Sequence, residues 1–342
     1  MIDLPDSFAD EAALDEFMSR PTDALVDDLR AVPGDITVLG VGGKMGPSLA
    51  ILAKRAAPEK RVIGVARFTD TAVKERLETA GVETITCDLL DRAAVSQLDV
   101  TDNVVFMAGR KFGSAGNQPL TWAMNALVPA IVAEHFAASR IVAFSTACVY
   151  PFVDIRHQGA TEATPPTPPP GEYAASCVGR ERMFDYYSSR LGTPGRLIRL
   201  SYAIDMRYGV LHDIATAVRD EQPVSATMGH VNIIWQGDAN ACALSTLKHC
   251  TTPTSPLNVS GPEVASVRAM AEGIGLRLGK TPQIEGDEAP TAWLVNTNEQ
   301  TRLFGYPTVP LAKLLDWTAA WVDSGGASLG KPTHFEVRDG NY

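Results

Sequence analysis

The stretch from Asp35 to Ala50, DITVLGVGGKMGPSLA, constrains the fold more than any other part of this chain. Ile36, Val38 and Leu39 make a short apolar strand. Gly40, Gly43 and Gly46 then give a GxxGxxG turn, and Gly42 adds an overlapping GxG. Pro47 suits the first turn of a helix, where its missing N–H costs nothing. Leu49, Ile51, Leu52 and Ala56 recur beyond it at helical spacing. Glycines in such a turn let the backbone bend sharply and approach a pyrophosphate seated on the helix N-terminus. A glycine pattern alone requires only a turn with positive φ. The strand before it and the helix after it are what point to a dinucleotide.

The same alternation runs on through the chain. Further strands are expected at 61–66, 84–87, 103–107, 141–145 and 196–202, with helical segments between them. Continuous apolar strands separated by helices build a parallel sheet covered on both faces. The fold class expected is α/β, a Rossmann-type doubly wound parallel sheet with a smaller interleaved α+β C-terminal substrate lobe. Residues 1–33 read as an acidic helical extension, with helices at 8–18 and 24–32 and Thr22 or Asp23 as a cap. A packing or oligomer arm is its simplest role. The nucleotide-binding domain is placed at 34–203, with 231–258 returning to it. Residues 204–230 and 259–342 are assigned to the substrate lobe and C-terminal tail. Helices are expected there and in the returning segment at 213–219, 238–248, 266–278 and 311–322, with extended pieces at 231–235 and 257–260. Five prolines between 161 and 171 exclude helix and central strand, leaving a stiff loop that leads to a helix near Glu172. The tail from 325 to 342 has little periodicity and is expected as a surface strap.

A net charge of −10 and a pI near 5.1 argue against an extended nucleic-acid or anionic-membrane surface. No apolar run is long enough to span a bilayer, and the acidic start is unlike a signal peptide. Cys87, Cys148, Cys177, Cys242 and Cys250 form no CxxC pair, which suits free thiols in a reducing cytoplasm. The six histidines show no metal-ligand spacing, so no metal is expected. For the cofactor, the end of the second strand is informative. A carboxylate there binds the ribose 2′-OH of NAD, whereas an arginine accommodates the 2′-phosphate of NADP. Here the strand ends in Ala66-Arg67-Phe68, with Lys44 as a second positive charge, and NADP is favoured over NAD. Asp88, after the third strand, could accept from the adenine amino group or cap a helix.

Three later pieces complete the pattern. Asn125 lies in a helix expected at 120–136, facing inward with Leu127 and Ile131. STACVY, Ser145 to Tyr150, ends the fifth strand, and YAASCVGRE, Tyr173 to Glu181, opens the helix after the proline loop. In order and spacing, residues 35–307 resemble the extended short-chain dehydrogenase/reductase superfamily, in its NAD(P)-dependent epimerase/dehydratase branch. GxxGxxG, Asp88-Leu89, Asn125, Ser145-Thr146 through Tyr150, and Tyr173, Ser176 and Glu181 fall in family order. The stretches 257–262, 266–271 and 296–305 follow suit. The resemblance implies hydride transfer at a hydroxyl or carbonyl carbon, with Tyr173 as acid/base and Thr146 orienting the substrate oxygen. Ser145 and Asn125 would support them. It implies dinucleotide contacts from Gly40, Gly42, Gly43, Lys44, Met45, Gly46, Arg67, Asp88, Leu89, Ala108, Gly109, Arg110, Ser145 and Tyr173. It also implies a homodimer formed through the helices at 120–136 and 172–190.

Two departures from the family stand out. The lysine expected four residues after Tyr173, which lowers the tyrosine pKa, is Cys177. A neutral thiol supplies no charge, and a thiolate would raise the tyrosine pKa. Lys44, Arg110, Lys111 and Arg180 are candidate replacements, and Arg110 and Lys111, directly after the fourth strand, are expected to be best placed. Cys177 is either itself chemical or a small buried helix residue. Nucleotide-sugar members carry Arg-x-x-Asn-x-Tyr-Gly-Pro after the sixth strand; here the run is RLSYAIDM, from Arg199 to Met206. Their diphosphate-binding arginine, seven residues before the match to Asp238, is Val231. The expected substrate is therefore small and polar, a sugar or sugar acid and not a nucleotide sugar. His157, His212, His230 and Trp235 are further polar candidates near the cleft, each expected to be structural. An NAD(P)-dependent oxidoreductase, epimerase or dehydratase is the reading. A catalytically silent NAD(P)-binding regulator and a non-redox isomerase or lyase are the alternatives.

Overall fold

Short runs of aliphatic residues can be buried on both faces only if helices cover both sides of the sheet they form. In the computed structural model, which describes residues 3–111 and 116–340, seven strands pair in parallel, most of them such runs, with the exposed Glu83–Thr86 at one edge. The first two residues of the expected N-terminal extension and the last two of the tail lie outside the described residues. The strands are β1 (Ile36–Leu39), β2 (Val62–Ala66), β3 (Glu83–Thr86), β4 (Asn103–Phe106), β5 (Arg140–Thr146), β6 (Gly195–Leu200) and β7 (Ser255–Val259). Their order is β7-β6-β5-β4-β1-β2-β3, with every neighbouring pair parallel. This is the expected Rossmann-type doubly wound sheet. The direction of winding reverses between β1 and β4, and a crevice opens there at the carboxyl ends of the strands.

The extended piece expected at 257–260 lies in and just after β7, the edge strand beside β6. The N-terminal helices divide between two cores. Leu25 and Leu29 of helix Asp23–Ala31, which Thr22 caps by accepting from the Leu25 amide, pack under the sheet with helix Gly46–Ala56. Phe17 and Met18 of helix Glu11–Met18 join a second core with helices Val210–Arg219, Val267–Leu278 and Leu311–Asp323. There Phe8, Phe17, Trp235 and Trp317 stack in one aromatic cluster. Arg207 reinforces the seam by binding Asp205, Asp15 and Glu11 together.

The long helix Glu172–Leu191 is held to the sheet by buried polar groups. Glu181 accepts from Ser145 Oγ on β5 at 2.6 Å and is bound in a fork by Arg199 on β6, at 3.0 and 2.7 Å. Arg199 also donates to the Tyr150 hydroxyl, which in turn donates to Asn258 on β7. Both charged side chains are at most 6% exposed. A buried pair like this gives little net stabilisation, but removing one partner strands the other charge. Glu181→Ala should therefore cost about 3–5 kcal/mol in urea denaturation, and Glu181→Gln, which keeps an acceptor for Arg199 and Ser145, should cost less.

Candidate functional site

The turn after β1 is shaped by what cannot fit in it. Gly40 has φ +84°, and a Cβ there would lie 2.6 Å from the Ala108 amide nitrogen at the end of β4. A Cβ on Gly46 would lie 2.2 Å from the Val41 carbonyl oxygen. Helix Gly46–Ala56 starts with proline in its first turn and with no side chain capping its N-terminal amides. That combination of close backbone and uncapped helix start is what a pyrophosphate requires. Beside it opens a cavity of about 250 Å³ lined by Gly40, Gly42, Gly43, Arg67, Asp88, Leu89, Ala108 and Gly109, among others. The chain therefore fits a dinucleotide. Arg67 is exposed at the wall of this cavity. So is Asp70, a carboxylate beyond the strand end that the sequence reading did not weigh; one of its oxygens accepts from the Ala72 amide. Asp88 accepts from the Leu90 amide, and the next helix is capped by Asp91 instead.

A second cavity, of about 140 Å³, is lined by Lys44, Met45, Lys111, Ser145, Thr146, Cys148, Tyr173, Tyr202, Tyr208, Trp293 and Thr333. Lys44 thus reaches into this cavity and is not paired with Arg67 in the first. Thr146 and the Cys177 thiol both lie close enough to the Tyr173 hydroxyl to act on it. Burial first, and then the two neighbouring sulfurs, push the Tyr173 pKa well above its ordinary value. Cys177 is fully buried behind Tyr173 and outside the cavity lining, and burial pushes its thiol up to about 11. It is a protonated thiol at neutral pH.

Arg180 sits two turns beyond Tyr173 on the same helix face. It is buried, donates to the Phe144 carbonyl and to Asn125 Oδ1, both at 2.7 Å, and acts electrostatically to lower the Tyr173 pKa. Among the four candidate cations it is the one whose charge reaches the tyrosine. Arg110 lines neither cavity, and its contact with Asn125 is through its main chain. Lys111 enters the second cavity. Asn125 uses all of its hydrogen-bonding capacity. Its Oδ1 accepts from the Arg110 amide and Arg180, and its Nδ2 donates to the Arg110 carbonyl and Ser176 Oγ.

The helix carrying Asn125 is not continuous α-helix. It runs Gln118–Trp122, then a π-turn at Ala123–Leu127, then Val128–His135. The wider turn changes which residues share a face. Asn125 and Ile131 are buried as expected, but Leu127 is turned outward and 49% exposed. The tail also differs from a plain surface strap. Thr333 is buried, donates through both its amide and its hydroxyl to Asp213, and walls the second cavity. The remaining polar candidates line neither cavity. His157 is exposed, His212 bonds the Met206 carbonyl and Ser328, His230 lies on a short strand beside Ser266, and Trp235 belongs to the aromatic cluster. Val231 is fully buried opposite Ala265. Among the described residues no cluster could hold a metal ion, and no helix is long and apolar enough to cross a membrane.

Placing a lysine at 177 would set a second buried cation three residues from Arg180. Cys177→Lys should lose on the order of 3 kcal/mol in urea denaturation, and adding Arg180→Met should recover part of that loss. An unaltered midpoint for the single variant would mean that Arg180 does not occupy the electrostatic space of the missing lysine.

Residues 36–205 match the model of the NAD dependent epimerase/dehydratase family. A comparison with curated proteins found no match. Solved structures share the fold over 85% of this chain and 99% of their own. They include Pal from Bacillus thuringiensis (20% identity, TM-score 0.70) and a UDP-galactose 4-epimerase (20%, 0.67). Another is UDP-glucuronic acid 4-epimerase from Bacillus cereus, in complex with UDP-glucuronic acid and NAD (17%, 0.68). The glycine turn, Asn125, Thr146 and Tyr173 all lie within the matched span, and residues 36–205 are a domain of the NAD dependent epimerase/dehydratase family.

Proposed function

We propose that this protein carries out NAD(P)-dependent chemistry at a hydroxyl or carbonyl carbon of a small polar substrate, a sugar or sugar acid, as a reductase or as an epimerase or dehydratase. The observation that carries the reading is Tyr173 lining one cavity with Thr146 beside the glycine turn. A bound dinucleotide supplies or takes up hydride at the substrate carbon. Tyr173 would give its proton to the oxygen on that carbon, with Thr146 orienting the oxygen. Burial keeps the phenol protonated, which suits proton donation better than proton abstraction and favours the reductive direction. Arg180 partly offsets the burial from the far side of Cys177. Asn125 holds Arg180, the end of β4 and the start of the Tyr173 helix in one arrangement.

A substrate smaller than a nucleotide sugar is supported by the second cavity itself. It measures about 140 Å³, Thr333 walls it, and among the described residues no arginine lines it. For the cofactor, Arg67 is the candidate contact to a 2′-phosphate, now without help from Lys44. Calorimetric titration with NADPH, NADP+, NADH and NAD+ tests this. The phosphorylated pair should bind about tenfold tighter, and Arg67→Ala should remove the difference. Preference for the unphosphorylated pair would give the ribose to Asp70. Failure of all four to bind would overturn the redox reading in favour of a non-redox isomerase or lyase. Tight binding without turnover of any carbonyl substrate would favour a silent regulator.

Trp122, Leu127, Tyr186 and Leu191 stand out as large apolar side chains exposed on the helices around Asn125 and Tyr173. A second copy of this chain is the partner proposed for that face. Light scattering should find a dimer that Leu127→Glu shifts towards monomer. A wild-type monomer at micromolar concentration would overturn the assignment.

A further inference from the structure

The second cavity brings together two lysines from distant parts of the chain. Lys44 comes from the glycine turn and Lys111 from the segment after β4. The glycine turn needs only its backbone to serve a pyrophosphate, so the side chain at 44 is free to take another task. It extends into the cavity, where its ammonium lies over the Tyr208 ring. The residue as a whole is exposed, with its ammonium at the cavity. Lys111 reaches the same cleft, with the Thr333 carbonyl 3.4 Å from its Nζ.

Two carboxylates lie near. Both oxygens of Asp205 bind Arg207, while Asp213 takes the amide and the hydroxyl of Thr333 on one oxygen and its charge favours both ammonium groups. Lys331, in the tail that walls the cavity, adds another positive charge to the field at Lys44. Enclosure in the cleft comes first, and repulsion from Lys111 second, in lowering the Lys44 pKa to about 7. Burial lowers that of Lys111 as well. Two like charges held in one small cleft oppose each other until an anion lies between them.

We propose that Lys44 and Lys111 form the anion-binding end of the substrate site, taking a carboxylate or phosphate carried by a small polyhydroxy substrate. The inference rests on the reading above that this cavity holds the substrate, with the reacting carbon at Tyr173 and Thr146. It narrows the substrate class from polar to anionic. It also gives a role to a lysine that the glycine motif does not require.

The test is competition for the two amines. The protein, with and without its preferred dinucleotide, is acetylated at pH 7 with an N-hydroxysuccinimide ester, and the rate at each lysine is read by peptide mass spectrometry. The competitors are glucuronate, glucose 6-phosphate, inorganic phosphate and neutral glucose. At least one anion should slow labelling of Lys44 and Lys111 about tenfold, while glucose and the surface residue Lys74 show no such effect. Protection by glucuronate alone would identify a carboxylate, and protection by the two phosphates would identify a phosphate. No protection by any anion, or equal protection by glucose, would overturn the proposal. In parallel, Lys44→Gln should change dinucleotide affinity less than about threefold. A larger loss would place the charge on the cofactor and also overturn it. Failure to bind dinucleotide would remove the redox reading, whereas the anion result on the free protein stands independently.

Discussion

The fork between Arg199 and Glu181 is the contact on which the site geometry depends. Each group alone would be untenable in this interior, where both are nearly inaccessible to water. Together they fix the rotation of helix Glu172–Leu191 against β5 and β6, because Glu181 also takes the Ser145 hydroxyl and Arg199 also takes Tyr150. Rotation about the helix axis would break all of these bonds at once. Tyr173 lies eight residues before Glu181 and inherits that orientation, which is how a structural ion pair decides where this phenol points. The cost of burying two charges is offset by a full set of hydrogen bonds. The return is one well-defined helix position more than added stability.

A second polar centre is built around Asn125 and Arg180, and it changes the chemistry at Tyr173. A lysine directly beside the phenol would lower its pKa strongly. In this chain the charge sits one turn further along the helix, screened by a neutral thiol and shared with Asn125 and the Phe144 carbonyl. The phenol therefore keeps its proton. Two other cations, Lys44 and Lys111, line the same cavity as the phenol.

Much of this was legible in the sequence because it depends on local rules. Strand, glycine turn and helix around Gly40 follow from backbone sterics and a short apolar run. The alternation after it forces a parallel sheet. The Thr22 cap and the helix start at Glu172 after the prolines are local too. Within the site, the grouping of Tyr173, Thr146 and Asn125 was readable from motif order. Other features were not readable. The π-turn that carries Asn125 leaves no periodic signal, so Leu127 was placed on the wrong face. The cation that acts on the phenol comes not from the residues after β4 but from Arg180, at a helical spacing of seven. Asp70 escaped notice because it lies beyond the strand end where the ribose rule looks.

By itself, the sequence determined the sheet and its glycine cradle and pointed to the candidate hydroxyls of Tyr173 and Thr146, since these rest on side-chain periodicity, backbone freedom and motif order within short stretches. Tertiary structure alone decided which charges meet. Lys44 and Lys111 are separated along the chain by β2, β3 and β4, and Thr333 reaches the same cavity from the far end of the chain. Coulombic and desolvation energies depend on distances through space. No spacing along the chain encodes them, and the character of this site is set there.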